Sequence, residues 1–384
     1  MSELQDVLRA IEDAAARGES MALATVVAIR GSTYRREGAR LAIPAEGSPV
    51  GTISGGCLEG EVCQIAGDVM REGTTRLLRY DLTADDEAVW GWGLGCNGVI
   101  DVFVEPAEHA VRMAGAIRRA IDEQRELVSV TVVKAPEGAQ PIPGSRLLVE
   151  PDGTVEGSLG DPALDAAAAE AAARAIQEER SRVVSLGRGV EAFVEALVPP
   201  IQLLVCGAGH DAIPLVRFAA GLGWRVEVVD DRPAFLTSER FPQATGFVHV
   251  EEPSSVAAAT RPDRRTFPIV MTHNFLRDKD YLRAFLGTPV PYIGMLGPHT
   301  RLLKLLDELR REGYEPDPGD LRAVHSPAGL DLGSEGPEEI AWAIVGEILA
   351  VRNGRGGGFL KDREGHIHDR PHAAEEEPAS APRA

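Results

Sequence analysis

An internal duplication constrains this chain more than any other feature. Displaced against itself by 106 residues, the sequence lays Thr25-Val26-Val27 on Thr131-Val132-Val133 and Gly38, Arg40 and Leu41 on Gly144, Arg146 and Leu147. Gly47 and Gly51 meet Gly153 and Gly157, and Leu58 and Glu59 meet Leu164 and Asp165. Phe103-Val104-Glu105 returns at a shorter offset as Phe193-Val194-Glu195. Each copy reads as strand, loop, strand, glycine turn, strand and helix, closed by a further strand. Matched glycines and branched residues without a gap point to a duplicated α/β unit and not to a long solenoid. Two copies burying a common sheet predict one domain over residues 1–199, with copies at about 20–106 and 126–199.

Positions the copies do not share carry the chemistry. Arg35 and Arg36 fall opposite Pro141 and Ile142, and Gly55-Gly56-Cys57 falls opposite Asp161-Pro162-Ala163. The run Gly93-Leu94-Gly95-Cys96-Asn97-Gly98 has no counterpart. Shared positions are therefore mostly scaffold, and the reactive-looking residues belong to the first copy. Glycines on both sides of Cys57 and Cys96 let the backbone turn sharply and let a bulky ligand approach it. Unpaired cysteines usually pack as small hydrophobes, which is the expectation for Cys63 and Cys206. Two thiols with the same flanking chemistry are instead expected to share a site.

Charge and cysteine content narrow the function classes. A net charge of −19 over 384 residues argues against general nucleic-acid binding, which needs a basic surface. Four cysteines are too few for a disulfide scaffold, so the chain is expected to be cytoplasmic with reduced thiols. No apolar run approaches a membrane span and the first residues carry no basic signal region.

The second half changes character. Ile201-Gln202-Leu203-Leu204-Val205-Cys206 reads as an apolar strand, Gly207-Ala208-Gly209-His210-Asp211-Ala212 as a G-x-G-x-x-A turn opening a helix, and Arg225–Val229 as the next strand, ending in Asp230-Asp231. Strand before, helix after and a carboxylate at the second strand's end are the context of a dinucleotide-binding βαβ unit. Gly207 and Gly209 would bring a phosphate to the helix N-terminus, and Asp230 would accept from a ribose hydroxyl. Further alternation predicts a Rossmann-like, doubly wound parallel sheet over 200–352, with His210 and His273 at strand ends beside the ligand crevice. His299 lies at another such end. Residues 353–384 lack apolar periodicity and are expected to be a disordered tail.

Together Gly31-Ser32-Thr33-Tyr34-Arg35-Arg36-Glu37-Gly38-Ala39-Arg40, the loop at 54–60, the loop at 93–98, Gly207-Ala208-Gly209-His210 and Gly329-Leu330-Asp331-Leu332-Gly333 resemble the xanthine dehydrogenase accessory protein family, XdhC/CoxI. The resemblance runs from about Leu4 to Arg352. It implies a chaperone that binds the molybdenum cofactor, as molybdopterin or its dinucleotide. Such a chaperone supports sulfuration with a cysteine desulfurase and delivers the cofactor to a xanthine or carbon monoxide dehydrogenase-type molybdenum hydroxylase. On that reading Arg35, Arg36 and Arg40 hold phosphate through charge-assisted donors, with Gly55, Gly56 and Gly95 giving backbone access. Cys57 and Cys96 coordinate molybdenum or carry a persulfide, and Glu59 orders the Cys57 loop, accepts a proton or caps the following helix. A homodimer is expected. Tyr34 stands where the family often has proline, and Asn274 stands where an aspartate usually follows the strand-end histidine. Two other classes stay open: an oxidoreductase using NAD(P) in the Rossmann half, and a cofactor nucleotidyltransferase with Asp230-Asp231 as its Mg²⁺ pair.

Overall fold

The computed structural model describes residues 3–56, 58–82 and 97–364. Cys57, Gly95 and Cys96 lie outside the described residues, as does the expected tail beyond residue 364.

The first copy contains β1 (Met21–Ser32), β2 (Arg40–Pro44), β3 (Val50–Gly51), α2 (Glu59–Glu72), β4 (Arg76–Asp81) and β5 (Asn97–Pro106). It is flanked by α1 (Glu3–Arg17) and α3 (Ala107–Asp122). The second contains β6 (Leu127–Lys134), β7 (Arg146–Val149), β8 (Val155–Gly157), α4 (Pro162–Glu178), β9 (Arg182–Gly187) and β10 (Val190–Leu197). The strands pair antiparallel in the orders β3-β2-β1-β5-β4 and β8-β7-β6-β10-β9, the same topology twice. The expectation of one common sheet is corrected here: the copies build two sheets and pack them face to face.

Alternation explains that arrangement. Ala22, Ala24 and Val26 of β1, with Ile100, Val102 and Val104 of β5, face Val62, Ala66 and Val69 of α2. The opposite face turns Val27 and Phe103 onto Val133 and Phe193 of the other copy. Register breaks between Val26 and Ala28 in one sheet and between Lys134 and Val132 in the other, so Val27 and Val133 are matching bulges. A bulge re-aims one side chain without shifting the strand, and here both valines point into the seam.

Ion pairs cross the same seam reciprocally. Arg40 of the first copy meets Glu195 of the second, while Arg146 of the second donates to both oxygens of Glu105 at 3.0 and 3.1 Å. Arg40 and Arg146 are duplicates, as are Glu105 and Glu195, so the contact is self-complementary like a two-fold interface. Arg40 also donates to the Gly38 carbonyl at 2.9 Å and is 4% exposed.

The second half is a single parallel sheet. Its strands are β11 (Gln202–Cys206), β12 (Arg225–Asp230), β13 (Gly246–His249), β14 (Thr266–Val270), β15 (Ile293–Met295) and β16 (Val324–His325). Their order, β13-β12-β11-β14-β15-β16, is that of a dinucleotide-binding sheet. One face is covered by α5 (Ala212–Gly221) and α9 (Pro337–Arg352), the other by α6 (Val256–Thr260), α7 (Phe275–Phe285) and α8 (His299–Arg311). Both faces are covered, which is why β11 and β14 read as near-continuous apolar runs. Arg265 joins the halves by donating to Glu126 at 2.9 Å and to the Gln124 carbonyl at 3.2 Å. Among the described residues, no helix is long and apolar enough to cross a membrane.

Candidate functional site

Two candidate sites emerge, one on the first copy and one in the Rossmann half. The first is built around the Glu59 carboxylate at the start of α2. Its Oε1 accepts from Thr52 Oγ1 at 2.6 Å, Ser54 N at 3.0 Å and Ile53 N at 3.1 Å. Its Oε2 accepts from Gly56 N at 2.9 Å, Leu58 N at 3.2 Å and Ser54 Oγ. Burial pushes this carboxyl up, but the bonds from Ser54, Thr52 and the loop amides outweigh it and hold it down at about 2. A carboxylate so engaged is a poor proton acceptor; its geometry is that of a group that orders the loop on either side of Cys57.

The arginine loop leans on this one. Glu3 Oε1 accepts from Thr52 N at 3.0 Å and also from Arg35 Nη2, so α1 ties the two loops together. Arg35 Nε is buried without a hydrogen-bond partner. The Tyr34 ring lies against Gly55, where an added Cβ would stand 3.0 Å from ring Cδ1. Gly55 and Gly56 have φ of +90° and +117°, so the turn itself requires glycine. Tyr34 and Arg36 are both exposed. In the β1–β5 register Ser32 is opposite Asn97, the residue that follows Cys96 in the chain. The arginine loop therefore leaves β1 at the end of the first sheet where β5 begins.

Arg40 does not join them. Its guanidinium is spent on Glu195 in the seam, which corrects its assignment to phosphate. The two described cysteines are packing residues: burial and then the Glu59 charge push the Cys63 thiol up, and burial pushes Cys206 far up. Among the described residues no cluster of three or more His, Cys, Asp or Glu could hold a metal.

A pH prediction follows from Glu59. Its folded-state value lies below the ordinary 4.5, so the stability it contributes is present above about 4.5 and is lost as pH falls toward 2. The melting-temperature gap between wild type and Glu59→Gln should close over that window. A gap independent of pH would sink the assignment.

The second site opens at the carboxyl ends of the parallel strands. Gly207, with φ of +122°, has room for no side chain: a Cβ would stand 2.6 Å from the Met271 carbonyl oxygen. Asp230 is not left open for a ribose. Its Oδ2 accepts from Ala208 N at 2.7 Å, and Arg232 grips the carboxylate through Nε at 2.8 Å and Nη2 at 2.9 Å. Burial pushes Asp230 up, but Arg232 and the Ala208 amide hold it down at about 2. Asp231 pairs with Arg277. Both carboxylates are thus neutralised by arginine, and the Mg²⁺ pair needed for a nucleotidyltransferase is not available there.

His210 and His273 line one cleft of about 480 Å³ with Asp211, Glu335 and the apolar residues Leu215, Met271 and Ile344. His273 Nε2 lies 2.8 Å from Asp211 Oδ2, and its φ of +59° is one a bulky side chain rarely adopts. Asn274 caps α7 by accepting from Leu276 N and Arg277 N, a role an aspartate fills equally well. His299 stays apart, at 3.3 Å from the Ser326 carbonyl. Glu3, Asp211, Arg232 and Arg240 were not singled out from sequence; only Arg232, two residues past the fingerprint acid, carried a readable signal.

Family comparisons agree with this geometry. A model described as the XdhC and CoxI family matches twice, over residues 14–81 and 120–187, again 106 residues apart, and one described as the XdhC Rossmann domain matches 203–348. A Bacillus subtilis (strain 168) protein named as a probable xanthine dehydrogenase subunit is 31% identical over 340 residues, covering 87% of this chain and 94% of its own. The chain belongs to the XdhC and CoxI family. A crystal structure described as a xanthine dehydrogenase from Bacillus halodurans superimposes with a TM-score of 0.72 at 28% identity, covering 92% of this chain and 97% of that one. The Escherichia coli (strain K12) protein named molybdenum cofactor insertion chaperone PaoD is 21% identical over 90% of this XdhC/CoxI chain and 88% of its own.

Proposed function

We propose that this chain is an accessory chaperone that binds the molybdenum cofactor, supports its sulfuration and inserts it into a xanthine or carbon monoxide dehydrogenase-type hydroxylase. The observation that carries the reading is the convergence of the arginine loop, the Glu59-ordered loop and the start of β5 at one end of the first sheet. Arg36 and the unpartnered Nε of Arg35 suit a phosphate, which a guanidinium meets with directed, charge-assisted donors. Cys57 and Cys96 supply the soft thiolate ligands that molybdenum or a transferred sulfur requires. The Escherichia coli relative's name points the same way. A cysteine desulfurase as sulfur donor, a homodimer and a cytoplasmic location complete the proposal. The Rossmann half holds a nicotinamide dinucleotide in this reading.

The test is molybdenum by elemental analysis on protein co-expressed with cofactor biosynthesis and handled under reducing, low-oxygen conditions. Near-stoichiometric metal in wild type, lost in Cys57→Ala or Cys96→Ala, is the expected result. No metal in any of the three, or equal metal in all of them, overturns it.

A further inference from the structure

The Rossmann crevice and the Glu37–Gly38 end of the arginine loop do not face each other within one chain. Glu37 and Gly38, on the arginine loop, line a cavity of about 390 Å³ together with Pro200, Ile201 and Trp224. Those three residues sit where β11 begins and just ahead of β12. The crevice opens at the other end of the same strands, past Cys206, Asp230 and Val270. A five-residue strand spans about 16 Å, so the sheet itself separates the two sites.

Three features of the crevice describe its ligand. The 207–212 turn and the first turn of α5 present a phosphate-binding end, as such turns do when a strand precedes them and a helix follows. The 480 Å³ cleft beyond it is walled by Leu215, Met271, Leu296 and Ile344, with His210 and His273 at its polar side, a lining that suits a largely apolar ring. On the far side, at the end of β12, the usual ribose acceptor is closed. Both oxygens of Asp230 are engaged, and the carboxylate is 3% exposed.

Two guanidinium groups stand there instead. Arg232 stacks on the Phe235 ring at 4.1 Å and Arg240 on the same ring at 4.8 Å. Arg240 Nη2 donates to the Ala208 carbonyl at 3.2 Å, and its Nε is buried with no hydrogen-bond partner. The bonds to Asp230 use the Nε and one Nη2 hydrogen of Arg232, leaving the rest of its fork for an anion. An acid turned away from the ribose and a pair of arginines beside it is the arrangement that accommodates a 2′-phosphate.

We infer that the Rossmann crevice is a second small-molecule site, separate from the cysteine loops, that takes a nicotinamide dinucleotide carrying a 2′-phosphate, with Arg232 and Arg240 as the residues that select it. The inference rests on the nucleotide part of the proposed function and is independent of the molybdenum part. Arg232 acts twice: it holds the phosphate and it keeps Asp230 from a ribose hydroxyl. Its removal therefore weakens the 2′-phosphorylated ligand and frees the carboxylate for the other.

Binding of NADPH, NADH, 2′,5′-ADP and 5′-AMP to the full chain by calorimetry tests this. Wild type is expected to bind NADPH about tenfold or more tightly than NADH, and 2′,5′-ADP over 5′-AMP likewise, as one charge-assisted contact provides. Arg232→Ala should bring the ratio to one or invert it, Arg240→Ala should reduce it, and Arg35→Ala should leave it unchanged, with thermal melts checking the fold of each. Equal affinities in wild type, no binding of any of the four, or a ratio unmoved by Arg232→Ala overturns the inference. Loss of binding in Arg35→Ala overturns the separation of the sites. Molybdenum retention is read in a different assay on different residues, so the two proposals fail independently.

Discussion

Glu195→Ala is expected to destabilise the chain by about 3–5 kcal/mol, the range for breaking a buried ion pair by removing one partner. Arg40 and Glu195 have side chains only 3% and 6% exposed. Without Glu195 the guanidinium keeps only neutral partners among the described residues, the Gly38 carbonyl and Met113 Sδ at 3.7 Å. The duplicate pair provides a graded control. Arg146 also donates to Thr131 Oγ1 at 2.8 Å and to the His109 carbonyl at 3.0 Å, and its side chain is 12% exposed. Glu105→Ala should accordingly cost less than Glu195→Ala. Replacing both partners by Arg40→Met and Glu195→Leu should recover most of the loss, since the penalty comes from the orphaned charge. Urea unfolding of wild type and the three variants measures this. A Glu195→Ala protein within 1 kcal/mol of wild type, the scale of an exposed pair, would show that the seam does not bury its charges in solution.

The same pairs show what was legible in the sequence. The repeat was readable because matched glycines and branched residues sit where sheet geometry leaves little choice, and the Rossmann half because its apolar runs and glycine turn are local signals. The seam was not, because nothing local says which face of a strand meets another copy and which meets a helix. Arg40 is the exception, because the duplication itself marks it. It recurs as Arg146, and both closing strands carry the same Phe-Val-Glu, so by the rule that shared positions are scaffold it belongs with the scaffold. Its neighbours Arg35 and Arg36 have no duplicate, and Arg35 is the arginine that shares Glu3 with the loop before Cys57. The Asp230 reading failed for another reason: the motif specifies where a carboxylate stands, while the arginine that closes it comes from the turn after it.

Glu59→Ala should cost both stability and cargo, and the duplication supplies the control that separates the two. Glu59 gathers the amides and hydroxyls of the 52–58 loop, and hydrogen bonds to a charged acceptor are worth about 1.5–3 kcal/mol each when they are well buried. Half-exposure and overlap reduce the sum, so a loss of about 2 kcal/mol is the reasonable expectation. In the second copy Asp165 does the same work, accepting from Ser158 Oγ at 2.7 Å and Leu159 N at 2.6 Å, in a loop that carries no cysteine. Asp165→Ala should therefore lower the melting temperature by a comparable amount and leave molybdenum retention intact. Glu59→Ala should lower retention to the level of Cys57→Ala. Because the two carboxylates hold equivalent loops, a shared fall in retention would mean that general destabilisation is being measured. Retention unaffected by Glu59→Ala would mean that the loop's order is irrelevant to the cargo. Only divergence between the duplicates supports a loop that one copy uses for chemistry and the other keeps as framework.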